Sequence, residues 1–299
     1  MAENIFELTP DVDIAEEIRP KSFSLIAFQQ FIRNGRALLG MAVLLVLVLA
    51  AIFADQISPY DPYKTNYANV KQPPSGEHFI GTDELGRDSF SRLIYGARVS
   101  LMIGVLVSAF STTVGVALGV VAGFFGGTVD MVIMRLVDII MSFPLLVLAI
   151  ALVAVFGPSL NNLMAALGFV YWVVFTRLVR GMVLSLRETE YIVGAKAIGA
   201  TDFAIIFNHI LPNVFPVVVV LASFSVAEAI LAAAALSYLG LGAQPPTAEW
   251  GSMLSNAKEL MRILPVMSIA PGVAIMITVL SINFIGDALR DALDPTLRN

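Results

Sequence analysis

Long uninterrupted apolar stretches dominate the chain, and their lengths predict its architecture. The first lies between Arg36 and Asp55, the second falls within the uncharged interval Val99 to Val129, and another uncharged interval runs from Ile139 to Thr176. Crossing the hydrocarbon core takes about 20 helical residues, so the last interval is too long for one span. GPSLNN at 157–162 breaks it into a third and a fourth span, the fourth running on through Arg177 and Arg180. A fifth starts near Pro212 and a sixth occupies Ile263 to Gly286. The pattern therefore predicts an all-α polytopic membrane protein with six transmembrane helices.

The distribution of Lys and Arg predicts orientation. With the N-terminus inside, eleven of the 18 basic residues are cytoplasmic, among them Arg33, Arg36, Arg135, Arg177, Arg180, Arg187, Lys196 and Arg290. The chain then divides into a cytoplasmic tail (1–36), a first span (37–54), an extracytoplasmic loop-rich cap (55–98), a five-helix core (99–290) and a cytoplasmic tail (291–299). Prolines 59, 62, 73 and 74 mark the cap as turn-rich, without a core of its own. In the second span Gly115, Gly119 and Gly123 recur every four residues, which lets helices approach closely, within the subunit or against a sister.

Composition narrows the chemistry. The chain has 299 residues, 58% hydrophobic and 14% charged, with a mean hydropathy of +0.83. Cysteine is absent and there are two histidines, so thiol chemistry and an ordinary zinc site are not expected. The net charge of -5 implies no nucleic-acid partner, and much of it comes from Glu3, Glu7, Asp11, Asp13, Glu16 and Glu17, a tail read as disordered and cytoplasmic. No cleavable signal pattern precedes the first apolar run.

One stretch between spans is neither polar loop nor span: GAKAIGATDFAIIFNHILPN, 194–213. Glu188 to Ile198 can form a helix, Gly199 supplies the left-handed residue that ends it, and Thr201 or Asp202 can cap a second. Pro212 suits the first turn of the fifth span. The expectation is a helix-turn-helix at the membrane surface. Its first helix offers a small face (Ile192, Ala195, Gly199) to another protein, and its second turns Phe203, Ile206, Phe207 and Ile210 toward the bundle or the bilayer. Gly194 to Thr201 spells G-x-x-x-x-G-x-T, but Ala200 stands where a phosphate loop needs Lys and no strand precedes it, so any ATP is hydrolysed by another chain.

This segment resembles the coupling loop of bacterial ABC importer permeases, E-A-A, three residues, Gly, nine residues, Ile, one residue, Leu-Pro. Ala195, Gly199, Leu211 and Pro212 match it, with Val193, Gly194 and His209 where Glu, Ala and Ile are usual. GTDELGRD (81–88), SRLIYGARVSL (91–101), LSYLGLGAQPP (236–246), EWG (249–251) and GDALRDALDP (286–295) resemble the dipeptide, oligopeptide and nickel branch, dipeptide permease C-subunits in particular. The resemblance implies a type I ABC importer permease fold and a non-catalytic subunit of the bacterial inner membrane. It implies a sister permease, two cytoplasmic ATPases that bind ATP and Mg, and an extracytoplasmic binding protein. It also implies that segment 187–212 couples the pore to the ATPases and that the cargo is a di- or oligopeptide, with nickel chelate, glutathione or opine-like solutes as alternatives. No cofactor is expected in this chain. A self-sufficient secondary transporter would need several embedded charges or inverted repeats, and neither is evident. A scaffold or sensor would need no pore.

Three embedded ionisable groups are candidate pore residues. Arg135 and Asp138, three residues apart, read as a local ion pair near the interface or as substrate contacts. Glu228, well inside the fifth span, reads either as facing the pore or as a protonated side chain at a helix contact. Trp250, after the Pro-Pro break, reads as an interfacial anchor, with a partner dock or pore lip as the alternative.

Overall fold

The computed structural model describes residues 29–293. The acidic cluster of the N-terminal tail and Arg298 lie outside them. The described residues form helices with one isolated bridge, Thr82 to Asp88. α1 spans Gly35–Ile52, followed by the short α2 (Ala54–Ile57). The central helices are α3 (Ser89–Phe125), α4 (Gly127–Met141), α5 (Leu145–Phe156) and α6 (Leu160–Arg187). Next come α7 (Glu190–Ala197), α8 (Asp202–Ile205), a π-turn (Ile206–Ile210) and α9 (Leu211–Tyr238). α10 (Trp250–Ala257) and α11 (Val266–Leu293) complete the bundle. Five helical segments are long and apolar enough to span a membrane, and α4 with α5, bent by 86°, can make a sixth.

Two expected boundaries move. The second span begins at Ser89, ten residues before the uncharged interval, because its first turns carry Arg92 and Arg98. Those charges are tolerated because they donate to free carbonyls. Arg92 Nη1 reaches Pro62 O at 2.9 Å, and Arg98 Nε reaches Ala51 O, at the end of α1, at 2.9 Å. Asp88 caps the helix, its Oδ2 accepting from Ser91 N at 2.8 Å. The cap of the bundle therefore ends at 88, not 98. The third span is also not one rod, since Pro144 stands at the cap of α5 and the chain turns at Ser142 to Pro144.

The small-residue stripe of α3 packs inside the subunit. A Cβ on Gly115 would stand 2.4 Å from Phe175 Cβ, one on Gly119 2.8 Å from Thr176 O, and one on Gly123 2.9 Å from Arg180 O. α3 and α6 thus touch backbone to backbone along the stripe. Ser111 Oγ donates to Gly168 O at 3.3 Å, and Ser108 Oγ donates to Ala222 O of α9 at 3.0 Å, binding the three helices where lipid provides no hydrophobic drive. A continuous apolar cluster from Ile103, Val153, Leu167 and Leu236 fills the extracytoplasmic half, and Val120, Val183, Ile192, Ile205 and Val214 fill the cytoplasmic half.

Candidate functional site

The 187–212 segment is held by its inward residues and bare on the other side. α7 follows α6 after two residues, and Arg187 Nη1 donates to Gly123 O at 3.2 Å, fastening the junction to α3. Ile192, Ile205 and Ile210 are fully buried in the cytoplasmic cluster. Gly199 ends the helix at φ +88°, and Thr201 Oγ1 accepts from Ala204 N at 3.3 Å, starting the next. Both capping expectations therefore hold. α8 then runs through the π-turn into α9, so the second helix belongs to the fifth span and is not a separate surface helix. Asn213 Nδ2, in the first turn of α9, donates to His209 O of the π-turn at 2.6 Å.

The small-residue face is rotated from its expected place. Ile192 points inward and Ala195 is half-buried, while Val193, Gly194, Lys196, Ala197, Ile198 and Gly199 are exposed, Ile198 at 88%. The reason is register: one large β-branched residue anchors the helix, and the free side is the one opposite it. The second helix also divides its apolar residues. Ile210 is buried, yet Phe203 and Phe207 stack on one another at 4.2 Å between ring centres and stay 70% and 51% exposed. Gly194 and Gly199 meet nothing within 4 Å of a Cβ position, so the surface beside them is open. Leu211 is half-buried and Pro212 exposed where α9 begins.

The embedded charges pair differently from their spacing. Asp138 meets Arg177 of α6, not Arg135, and Asp130 takes Arg180 in a two-pronged pair, Arg180 Nη2 lying 2.6 Å from Asp130 Oδ2. Both pairs tie α4 to the helix that leads into α7. Arg135 is exposed. The i, i+3 reading fails because Asp138 lies closer to a neighbouring helix than to its own turn. These partners lie 39 and 50 residues apart, and no local signal in the sequence points to them. Glu228 is exposed between buried Ala227 and Ala229, ten residues before the end of α9.

The extracytoplasmic end contains the group that sequence reading missed. Glu249, 1% exposed, caps α10, accepting from Gly251 N at 2.7 Å and Ser252 N at 2.8 Å, with Ser100 Oγ of α3 at 3.3 Å. Burial pushes its carboxyl above the usual range, against the pull of the two backbone N–H groups. Trp250 is not an interfacial anchor: it is 1% exposed, and its Nε1 donates to Leu93 O at 3.0 Å. Gly96 makes room for its ring, since a Cβ there would stand 2.8 Å from Trp250 Cδ1. The EWG triplet is thus a helix cap plus a wedge, and because glutamate is not among the usual N-cap residues, no local capping signal marked it. In the cap, His78 Nδ1 and Asp88 Oδ1 lie 2.9 Å apart, both buried, and the Tyr60 ring lies 4.8 Å from that of His78.

Residues 115–299 match the family model of the binding-protein-dependent transport system inner membrane component. The chain belongs to that family. Residues 22–74 match a second model, the N-terminal membrane domain of oligopeptide transport permease C. Among curated relatives of this permease family, the dipeptide transport system permease DppC of Alkalihalophilus pseudofirmus is 46% identical over 91% of this chain and 90% of its own length. The oligopeptide permease OppC of Bacillus subtilis is 39% identical over 99% and 98%. The glutathione permease GsiD of Pectobacterium atrosepticum is 41% identical over 91% of each. In structure, the chain is similar to a solved chain of the inward-facing MetNI methionine ABC transporter. The TM-score is 0.55 at 21% identity, covering 68% of this chain and 96% of that one. The type I importer permease fold and the multi-pass inner-membrane setting follow, as the resemblance of the loop and motifs implied.

Proposed function

We propose that this permease forms half of the translocation pore of an ATP-driven importer of short peptides and transmits motion to it from a cytoplasmic ATPase. The observation that carries the reading is the open face of α7, built of Val193, Gly194, Ala197 and Ile198 on a helix whose other side is locked into the bundle through Ile192. A rigid, small-faced helix continuous with two spans fits a groove on a soluble partner. Any shift of the partner then moves α6 and α9 together, and the difference in docking energy between the partner's two states biases the pore. Ala195 and Gly199 support this surface from its edges, and Leu211 and Pro212 join it to α9. The Asp130–Arg180 and Asp138–Arg177 pairs carry the same motion into α4. ATP and Mg belong to the partner ATPases. The remaining partners are a sister permease, against which the exposed Glu228 lines the shared pore, and an extracytoplasmic binding protein.

A peptide cargo is supported by the names of the DppC and OppC relatives, and glutathione, the cargo named for GsiD, is itself a short peptide. The deciding experiment is co-purification of the tagged permease with its ATPases, together with dipeptide uptake by reconstituted vesicles. Gly194→Trp places a large ring on the open face, where a Cβ meets nothing. It is expected to abolish both ATPase retention and uptake while the permease still inserts. Full retention and uptake in this variant would refute the coupling role. Uptake by vesicles holding this chain alone, without nucleotide, would refute the importer reading altogether.

A further inference from the structure

The start of α1 and the end of α11 meet at the cytoplasmic rim in a polar recess of about 270 Å³, lined by Asn34, Arg36, Phe284, Asp287, Arg290 and Asp291. Its charge is balanced, with two guanidinium groups facing two carboxylates. All four side chains are exposed, and none is in an ion pair among the described residues. Asp287 and Asp291 are one helical turn apart and so share a face of α11, while Arg36 comes from the other helix. Asn34 Oδ1 accepts from Arg36 N at 3.1 Å and Ala37 N at 3.3 Å, which leaves its amide N–H groups free to donate.

Apolar surface adjoins the recess on two sides. Arg290 also lines a second recess of about 500 Å³, whose walls include Leu178, Pro216, Val220, Phe224 and Leu293. Beyond Arg36, toward the membrane, Leu38 and Leu39 are 41% and 59% exposed. The whole is amphipathic, and it lies at the depth where lipid headgroups sit.

We propose that this recess holds the headgroup of a zwitterionic phospholipid bearing a primary amine. Its phosphate lies between Arg36 and Arg290, and its ammonium against Asp287 and Asp291. Its acyl chains follow the outer flank of α1 past Leu38 and Leu39. The charge balance selects this class. An anionic lipid would satisfy the two arginines but set its own charge against two carboxylates. A choline headgroup carries no N–H to donate to them, whereas an ammonium carries three. The field at the start of α1 has the same sense, since a helix N-terminus favours an anion.

The test uses the full chain, purified with the subunits that accompany it into nanodiscs of equimolar phosphatidylethanolamine and phosphatidylglycerol, with retained lipid read by native mass spectrometry. The wild type is expected to retain phosphatidylethanolamine over phosphatidylglycerol by about five-fold, the scale of one or two surface charge pairings. The double variant Asp287→Asn/Asp291→Asn should reverse the order, and Arg36→Gln/Arg290→Gln should lose both lipids. All four side chains are exposed, so neither variant threatens the fold. Should one fail to insert, Asp291→Asn alone must still lower the ratio. An equal ratio in the wild type, or an unchanged ratio after the Asp substitutions, overturns the proposal. So does retention that appears only when residues 1–28 are deleted, because the chain's own tail would then be the occupant.

Discussion

The two ends of the bundle satisfy their backbone and charges in opposite ways. At the extracytoplasmic end, Glu249 and Trp250 are each 1% exposed and bonded to α3, and Arg87 and Arg92 are buried beside Asp83. At the cytoplasmic end, α7 is anchored by one buried isoleucine and leaves a row of small and apolar residues uncovered. These groups of the first end find their partners within the subunit. The second leaves a face uncovered, which fits the proposed coupling role, since a helix that must follow another protein cannot bury its recognition face at home.

Glycine gives the largest test of that contrast. A Cβ on Gly251 would stand 2.5 Å from Ala234 O and 2.6 Å from Ala234 Cα, so Gly251→Val must push α10 off α9, whereas Gly194 has open space. We expect Gly251→Val to cost about 3 kcal/mol or more and to leave little folded protein, measured by thermal unfolding in detergent. Gly194→Trp should unfold at the wild-type temperature and fail only in docking. Equal melting of the two would erase the difference between the ends.

A second pair separates anchor from contact on one helix. Ile192→Ala removes a fully buried side chain and should destabilise the coupling segment by about 2–4 kcal/mol, seen as faster amide exchange across 190–210. Ile198→Ala, at a position 88% exposed, should leave that exchange unchanged and weaken ATPase retention instead.

Glu249→Ala uncaps α10 and strands two buried N–H groups, at an expected cost of about 1–3 kcal/mol. The smallest effect concerns pH. Because burial raises the Glu249 carboxyl above its ordinary value of 4.5, the docked helix binds a proton more readily than the undocked one. Docking of α10 is therefore strongest below 4.5 and weakens as pH rises through the raised value. Amide exchange of 250–257, corrected for its intrinsic pH dependence, should show this trend, and Glu249→Gln should flatten it. No such trend in the wild type would mean that the buried carboxylate is already fully compensated by its N–H donors.

Much of the molecule was legible before its structure. Apolar run length located the spans because a bilayer demands length and apolarity from each segment separately. The turn at Gly199 and the cap at Thr201 were readable for a similar reason: each depends on a few consecutive residues. Errors arose where the answer depended on a residue far along the chain. The helix at Ser89 begins early because carbonyls at Ala51 and Pro62 receive its arginines. Trp250 looked like a lipid anchor until Gly96 opened a slot for it, and Asp138 looked paired with Arg135 until α6 brought Arg177 closer.

The sequence by itself determined the membrane-spanning architecture and the turn and cap within 187–212, since periodicity and turn chemistry are local properties of a helix in lipid, and its motifs carried the resemblance to the family. Only the tertiary structure decided which face of α7 is free, which charges pair and which apolar residues are buried. Those outcomes depend on how helices distant in sequence are rotated against one another, and that rotation is set by close contacts such as those of Gly115, Gly119 and Gly123 with α6.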